Sequence, residues 1–181
     1  MGSHASSAAL ERGGGSPPPR SRIRTLGLLA LAFVVAAAAS AQVRRPAPTL
    51  STAVTSPRVA PGSTAHLRLK VALPTGLHVQ SDKPRDPALI PTKLSLTPPS
   101  GVSILRISYP KATDLVQPGV GAPLAVFSGT FVVDAEIALT RTVDPGALNI
   151  PGELRYQSCT DQVCFPPSRA AVSWRLTVHS R

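Results

Sequence analysis

From residue 52 onward the chain alternates apolar and polar side chains with period two, as strands with one buried face do. Ala65, Leu67, Leu69, Val71 and Leu73 fall on one side, with His66, Arg68 and Lys70 between them. Leu94 and Leu96 repeat the pattern, as do Val102, Ile104 and the segment that runs to Tyr109. The longest clean alternation is Phe131, Val133, Ala135, Ile137 and Leu139. Leu154 and Tyr156 follow, and Val172, Trp174, Leu176 and Val178 close the chain. Turn signals separate these runs: "APGS" at 60–63, "LPTG" at 73–76, "TPPSG" at 97–101 and "DPGA" at 144–147. Proline fixes φ and lacks an N–H, and glycine tolerates positive φ, so such clusters end strands. No stretch of this region keeps a helical period beyond about one turn. About seven or eight short strands in roughly 130 residues predict an all-β fold, an immunoglobulin-like β-sandwich. A small open barrel is the competing arrangement.

The longest gap between good strands is "YPKATDLVQPGVGAPLAVF" at 109–127, read as a long loop carrying Pro and Gly. Long loops on rigid sandwiches often carry function; the plain alternative is a connection between sheets. Residues 42–51, "QVRRPAPTLS", show no periodicity and read as a linker, so the domain is expected over 52–181.

The first 41 residues stand apart. Arg20, Arg22 and Arg24 form a basic region ahead of "LGLLALAFVVAAAA", an apolar run of 14 residues that ends in Ala39-Ser40-Ala41. This is the pattern of a secretory signal peptide with cleavage after Ala41. The run is shorter than the roughly 20 apolar residues of a spanning helix; left uncleaved, it would serve as a membrane anchor. Export, to the periplasm or an equivalent compartment, is therefore expected.

Charge narrows the partners. The chain has 19 Lys and Arg against 9 Asp and Glu. Without Arg12, Arg20, Arg22, Arg24 and Glu11, 15 basic and 8 acidic side chains remain, a net charge of +7. The charges are scattered singly along strands, aromatics are few and no helix carries a basic stripe, so nucleic acid is not an expected partner.

The chemistry lies in "RYQSCTDQVCFPP" at 155–167, which holds both cysteines of the chain, Cys159 and Cys164. In an exported chain such a pair can form a disulfide and keep it. A bridge between them closes a loop of six residues, and chain entropy then gives about 2 kcal/mol, against about 4–5 for a loop of some 100 residues. A staple meant to hold a sandwich together would better pin one sheet to the other. A local, near-surface bridge has the features of a labile disulfide. Other chemistries fit less well. The C-x4-C spacing is not that of a thioredoxin motif or a haem attachment site, and His66, His78 and His179 are too scattered to complete a zinc site. No metal, cofactor or small-molecule substrate is expected. On the chemistry alone, a redox pair and a structural hairpin bridge both remain open.

"YQSCTDQVCFPP" resembles the active-site segment of the amino-terminal periplasmic domain family of DsbD, the thiol:disulfide interchange protein. "GLHVQSDKPRDPALIPTKLSL" at 76–96 resembles that family's stretch leading into an "IPT-L-L" strand. "YPKATDL" followed by "PLAVFSGTFVV" resembles its middle loop and the strand after it. Together the three segments extend the resemblance, in order, over nearly all of 52–178. The resemblance implies an immunoglobulin-like fold and a cysteine pair that relays electrons to thioredoxin-like periplasmic proteins. The family's full-length protein adds a membrane section and a thioredoxin-like domain that this sequence does not contain, which implies a separate membrane electron donor. The spacing here is one residue shorter than in the best-known members. Their aromatic cap over the cysteines has no counterpart in the matching loop, whose candidates are Asp114, Leu115, Val116 and Gln117, with Val116 the nearest apolar residue.

Around the pair, Asp161 is expected to disfavour a thiolate, with Arg155 and Arg169 as candidate offsets. His78 is a candidate proton acceptor; the plainer expectation is a solvated histidine at a strand end. Tyr156 is expected in core packing or in a hydrogen bond like that of a tyrosine corner. Cys159 is expected to end the strand carrying Leu154 and Tyr156. Cys164 precedes Pro166-Pro167, which have no N–H for a ladder, and should lie open at the sheet edge. The resemblance gives the second cysteine the mixed disulfide, so Cys164 is the candidate exchanging sulfur and Cys159 the resolving one. The alternative is a secreted immunoglobulin-like binding module with a purely structural disulfide.

Overall fold

In the computed structural model, residues 46–119 and 121–180 are described. Among them the chain forms twelve strands and no helix. The signal peptide and the start of the linker lie outside these residues. Three sheets of four strands result. The first has the order β1 (Thr49–Val54), β3 (Thr64–Ala72), β9 (Thr130–Leu139), β6 (Val102–Ser108). The second has the order β2 (Arg58–Val59), β12 (Ser168–Val178), β10 (Gly146–Tyr156), β5 (Lys93–Leu96). These two sheets share one core and form an immunoglobulin-like sandwich. The third has the order β11 (Ser158–Cys159), β4 (His78–Gln80), β8 (Leu124–Ser128), β7 (Thr113–Leu115).

Alternation sets the register. On β3 and β9 the pairs Leu67↔Ala135, Leu69↔Val133 and Val71↔Phe131 put apolar partners side by side, and all six are buried. On the facing sheet Ile150 pairs with Trp174 and Leu154 with Leu94, again all buried. Each fully buried aliphatic of this kind stabilises the fold by about 1.5–3 kcal/mol. The Trp174 indole N–H donates to the Arg68 carbonyl across the sandwich at 2.9 Å, so the largest core side chain also ties the two sheets together. Gly152 is required beside it: a Cβ there would meet Leu96 Cδ2 and the Ser95 carbonyl at 2.9 Å and Trp174 Cζ3 at 3.1 Å.

The expected turns appear where Pro and Gly cluster. In "LPTG" the Leu77 N–H donates to the Pro74 carbonyl at 3.2 Å, and Gly76 takes φ 79°. Three expectations need correction. Strand β1 begins at Thr49, inside the stretch read as linker, because it pairs with β3 from Thr49↔Ala72 to Val54↔Leu67. Strand β6 is an edge strand whose register shifts between Ile104 and Arg106, and Ile104, which alternation placed on the apolar face, is exposed, as is Leu105 beside it. Residues 109–127 are not an open loop but contain β7 and most of β8, paired from Thr113↔Val126 to Leu115↔Leu124.

The third sheet carries the cysteines. Its inner face, with Val79 and Phe127, joins the sandwich core. His78 pairs with Cys159 on one side and Ser128 on the other, so these three lie on the opposite face.

Candidate functional site

Cys159 and Cys164 form a disulfide, with S–S 2.02 Å and Cα–Cα 4.0 Å. They are opposite residues of a tight antiparallel hairpin. The Phe165 N–H donates to the Ser158 carbonyl at 2.9 Å and the Thr160 N–H to the Val163 carbonyl at 2.8 Å. The cysteines thus occupy the non-hydrogen-bonded position between these two bonds, where opposed side chains come closest. Thr160 closes the turn: its Oγ1 accepts the N–H groups of Gln162 at 3.2 Å and Val163 at 3.1 Å. A Thr at the head of "TDQV" is a hydroxyl-capped turn, a signal readable in the sequence.

The two sulfurs differ in access. Cys159 is 1% exposed, whereas Cys164 lies on the exposed side of the hairpin. Cys159 does not end the strand of Leu154 and Tyr156, as expected. That strand, β10, stops at Tyr156, and after Gln157 the chain enters β11 in the third sheet, where Cys159 pairs with His78. Past Cys164, the Gln157 side-chain amide donates to the Phe165 carbonyl at 2.9 Å and holds the outgoing limb ahead of Pro166.

His78 is not the solvated strand-end histidine expected. It is 4% exposed, because β11 and β8 flank it on both sides, and its Nε2 is buried without a hydrogen-bond partner. Burial pushes its pKa below the ordinary 6.5, and the carboxylate of Asp161 partly opposes that shift. His78 and Asp161 line the same cleft, of about 470 Å³, together with Thr113, Asp114, Leu115 and Ser128. Two more buried polar atoms lack partners nearby in the sheet, Gln80 Oε1 and Ser158 Oγ, and no sequence pattern marks either.

The candidate cap residues part company. Gln117 reaches the hairpin, its Nε2 donating to the Thr160 carbonyl at 3.4 Å. Val116 is 77% exposed, so it does not cover the cysteines. Asp114 is held by Arg85, which also donates to the Pro123 carbonyl and so braces the β7–β8 hairpin. Leu115 is half-buried along the cleft. Of the expected offsets to Asp161, Arg169 is paired with Glu153 instead. Tyr156 is buried in the core, and burial raises its phenol pKa against a hydrogen bond with Ser168. Among the described residues no group of three His, Cys, Asp or Glu side chains is placed to hold a metal ion.

Comparison with known proteins gives one family match: the sequence model described as "Thiol:disulfide interchange protein DsbD, N-terminal" covers residues 46–174. Among solved structures, the reduced DsbD N-terminal domain of Neisseria meningitidis is 14% identical, with TM-score 0.41, over 65% of this chain and 84% of that chain. The N-terminal periplasmic domain of ScsB from Proteus mirabilis is 15% identical, with TM-score 0.49, over 73% of this chain and 47% of that chain. A family 123 glycoside hydrolase from Clostridium perfringens is 13% identical, with TM-score 0.35, over 72% of this chain and 27% of that chain. No curated protein matches in sequence. These structural likenesses are too distant to speak to chemistry, and the family match stands on sequence.

Proposed function

Because the chain belongs to the family of the DsbD N-terminal domain, we propose that it is an exported electron relay whose Cys159–Cys164 pair exchanges thiols and disulfides with thioredoxin-like proteins. The compartment is the periplasm or its equivalent, and a membrane-embedded partner supplies the electrons. The observation that carries the reading is the unequal access of the two sulfurs, 1% exposure at Cys159 against an open Cys164.

In the reducing half-cycle a partner thiolate attacks Cys164 Sγ. The new S–S bond joins Cys164 to the partner, and the Cys159–Cys164 bond breaks, its electron pair leaving on Cys159 as a thiolate that then takes a proton. A second partner thiolate attacks its own chain's sulfur in the mixed disulfide and releases Cys164. The partner leaves oxidised, with its own disulfide, and the domain is left as a dithiol. In the forward relay the same steps run in reverse toward an oxidised acceptor. An attacker that reaches only Cys164 fixes the order of events, since exchange needs access to the sulfur under attack.

Trapping tests the assignment. Cys159→Ser should form a stable covalent complex with a thioredoxin-like protein that lacks its own resolving cysteine, and Cys164→Ser should not. Equal trapping by both variants would defeat the role assignment; trapping by neither would count against a relay. The structural-bridge alternative is judged by the reduction potential, since inert bridges lie below about −300 mV.

A further inference from the structure

We infer that His78 takes the proton from Cys159 as that sulfur resolves the mixed disulfide at Cys164, with Asp161 holding the imidazolium that forms; the inference rests on the relay reading above. The need arises from the burial of Cys159. Cys159 is 1% exposed in the disulfide; a sulfur covered to that degree is out of reach of bulk water and hydroxide, and as a thiol its burial favours the protonated form. Yet it is the thiolate that must attack. Some group inside the sheet has to accept the proton.

His78 is the group in place. It is the cross-strand partner of Cys159, on the same face of the third sheet, and such partners hold their Cβ atoms about 4.5–5.5 Å apart. Its Nε2 is buried without a partner. A buried polar atom left unpaired is costly, which calls for a reason, and a neighbour that presents a proton only in the reduced state supplies one. The ionisable groups that face His78 are few. The hairpin contributes Cys159 and Asp161, and β7 contributes Asp114, which Arg85 already neutralises. From β8 comes only the hydroxyl of Ser128. Asp161 is thus the one unpaired carboxylate among the cleft-lining residues, and no lysine or arginine is among them. Its charge, a handicap for a thiolate, becomes an asset once the proton sits on the imidazole.

The step balances. In the mixed disulfide Cys164 Sγ is bonded to the partner's sulfur and Cys159 is a thiol. His78 Nε2 accepts the thiol proton, and Cys159 Sγ attacks Cys164 Sγ. The intramolecular S–S bond forms, the bond to the partner breaks, and the partner's sulfur leaves as a thiolate with the electron pair. Counted from the dithiol through both steps of the exchange, this domain has lost two electrons and the partner has gained them. The imidazolium returns its proton to solvent through the cleft that it shares with Asp161.

The reaction of the reduced protein with 5,5′-dithiobis(2-nitrobenzoate) isolates the step. One thionitrobenzoate is released as Cys164 forms the adduct, and a second as Cys159 displaces it. In the unaltered protein the second phase should rise with pH, level off once His78 is neutral, and rise again where Cys159 ionises unaided. His78→Gln should leave the first phase unchanged and slow the second about 100-fold near neutral pH, the lower end of what a positioned proton acceptor contributes. Its second phase should rise in proportion to hydroxide with no plateau. Asp161→Asn should move the plateau's onset to lower pH, because Asp161 raises the His78 pKa. An unchanged second phase in His78→Gln, or equal slowing of both phases, would overturn the role of His78. If that variant does not fold, the profile of the unaltered protein decides alone, a plateau supporting the inference and a straight rise refuting it. An adduct in the unaltered protein that never releases its second thionitrobenzoate would instead overturn the relay reading.

Discussion

Reduction of the Cys159–Cys164 bridge should weaken the domain only slightly, and the expected loss can be worked out. The bridge closes a loop of six residues. The chain-entropy relation gives about 7 cal/mol/K for such a loop, hence about 2 kcal/mol at room temperature. That is the contribution of one buried leucine. The sandwich does not depend on the hairpin: the β10–β12 ladder runs from Gly146↔Val178 to Tyr156↔Ser168 and stops before Cys159. The bonds from the Phe165 N–H to Ser158 and from the Thr160 N–H to Val163 are backbone bonds that survive reduction. They keep the thiols opposed and ready to close again. Trp174, the only tryptophan, is 1% exposed and reports unfolding by its fluorescence. With a urea m-value of about 2 kcal/mol/M, the midpoint should fall by about 1 M with reductant, and the transition should stay cooperative. Loss of the cooperative transition, or a drop of more than about 2.5 M, would mean that the bridge holds the fold together, as the structural alternative requires.

Other outcomes follow from particular contacts. Gly152→Ala should cost about 1–3 kcal/mol in the same melt, since its methyl would crowd Leu96, Trp174 and the Ser95 carbonyl together; an unchanged midpoint would show that all three give way freely. Deleting residues 115–119 removes the Gln117 bond to Thr160, and loss of about 1 kcal/mol of cover should speed alkylation of the reduced protein about fivefold, whereas an unchanged rate would mean that the turn shields nothing. The neutral form of His78 is favoured by the fold, so below pH 6.5 the unfolded chain binds more protons and stability is lost as pH falls through that window. His78→Gln should flatten that part of the stability profile, and an unaltered slope would show that His78 does not titrate there.

The sandwich was legible because its core strands bury one face only. Leu67, Leu69, Phe131, Val133, Trp174 and Leu176 stand at alternate positions and are buried, and Pro-Gly clusters mark the turns between them. The third sheet was not legible, for a physical reason. β4 reads His-Val-Gln and is buried at all three positions; β8 likewise buries Ala125, Val126 and Phe127 in succession. Strands covered on both faces show no alternation. Strand β11 is two residues long and carries no pattern at all. The cysteines drew attention by chemistry and by family resemblance, but the burial of His78 depends on neighbours distant in sequence. Edge strand β6 misled in the opposite sense, since a register shift turned apolar residues outward.

The unequal access of the sulfurs traces to how the chain enters and leaves the hairpin. On the way in, β11 pairs with β4 and carries Cys159 under cover. On the way out, Pro166 and Pro167 lack the N–H groups that another rung would need, and β12 resumes only at Ser168, in a different sheet. One limb is therefore held in a sheet, and the other only by the Phe165 N–H bond back to Ser158 and by the Gln157 side chain. A disulfide between the two main sheets would have buried both sulfurs and stabilised the core by more. Placing it across a hairpin on the small sheet forgoes that stability and leaves one sulfur open and one closed. For a bridge whose work is to break and re-form, that asymmetry matters more than the kilocalories lost. It also sets the demand that the role proposed for His78 would meet, since a sulfur hidden well enough to resist attack is hidden from solvent bases as well.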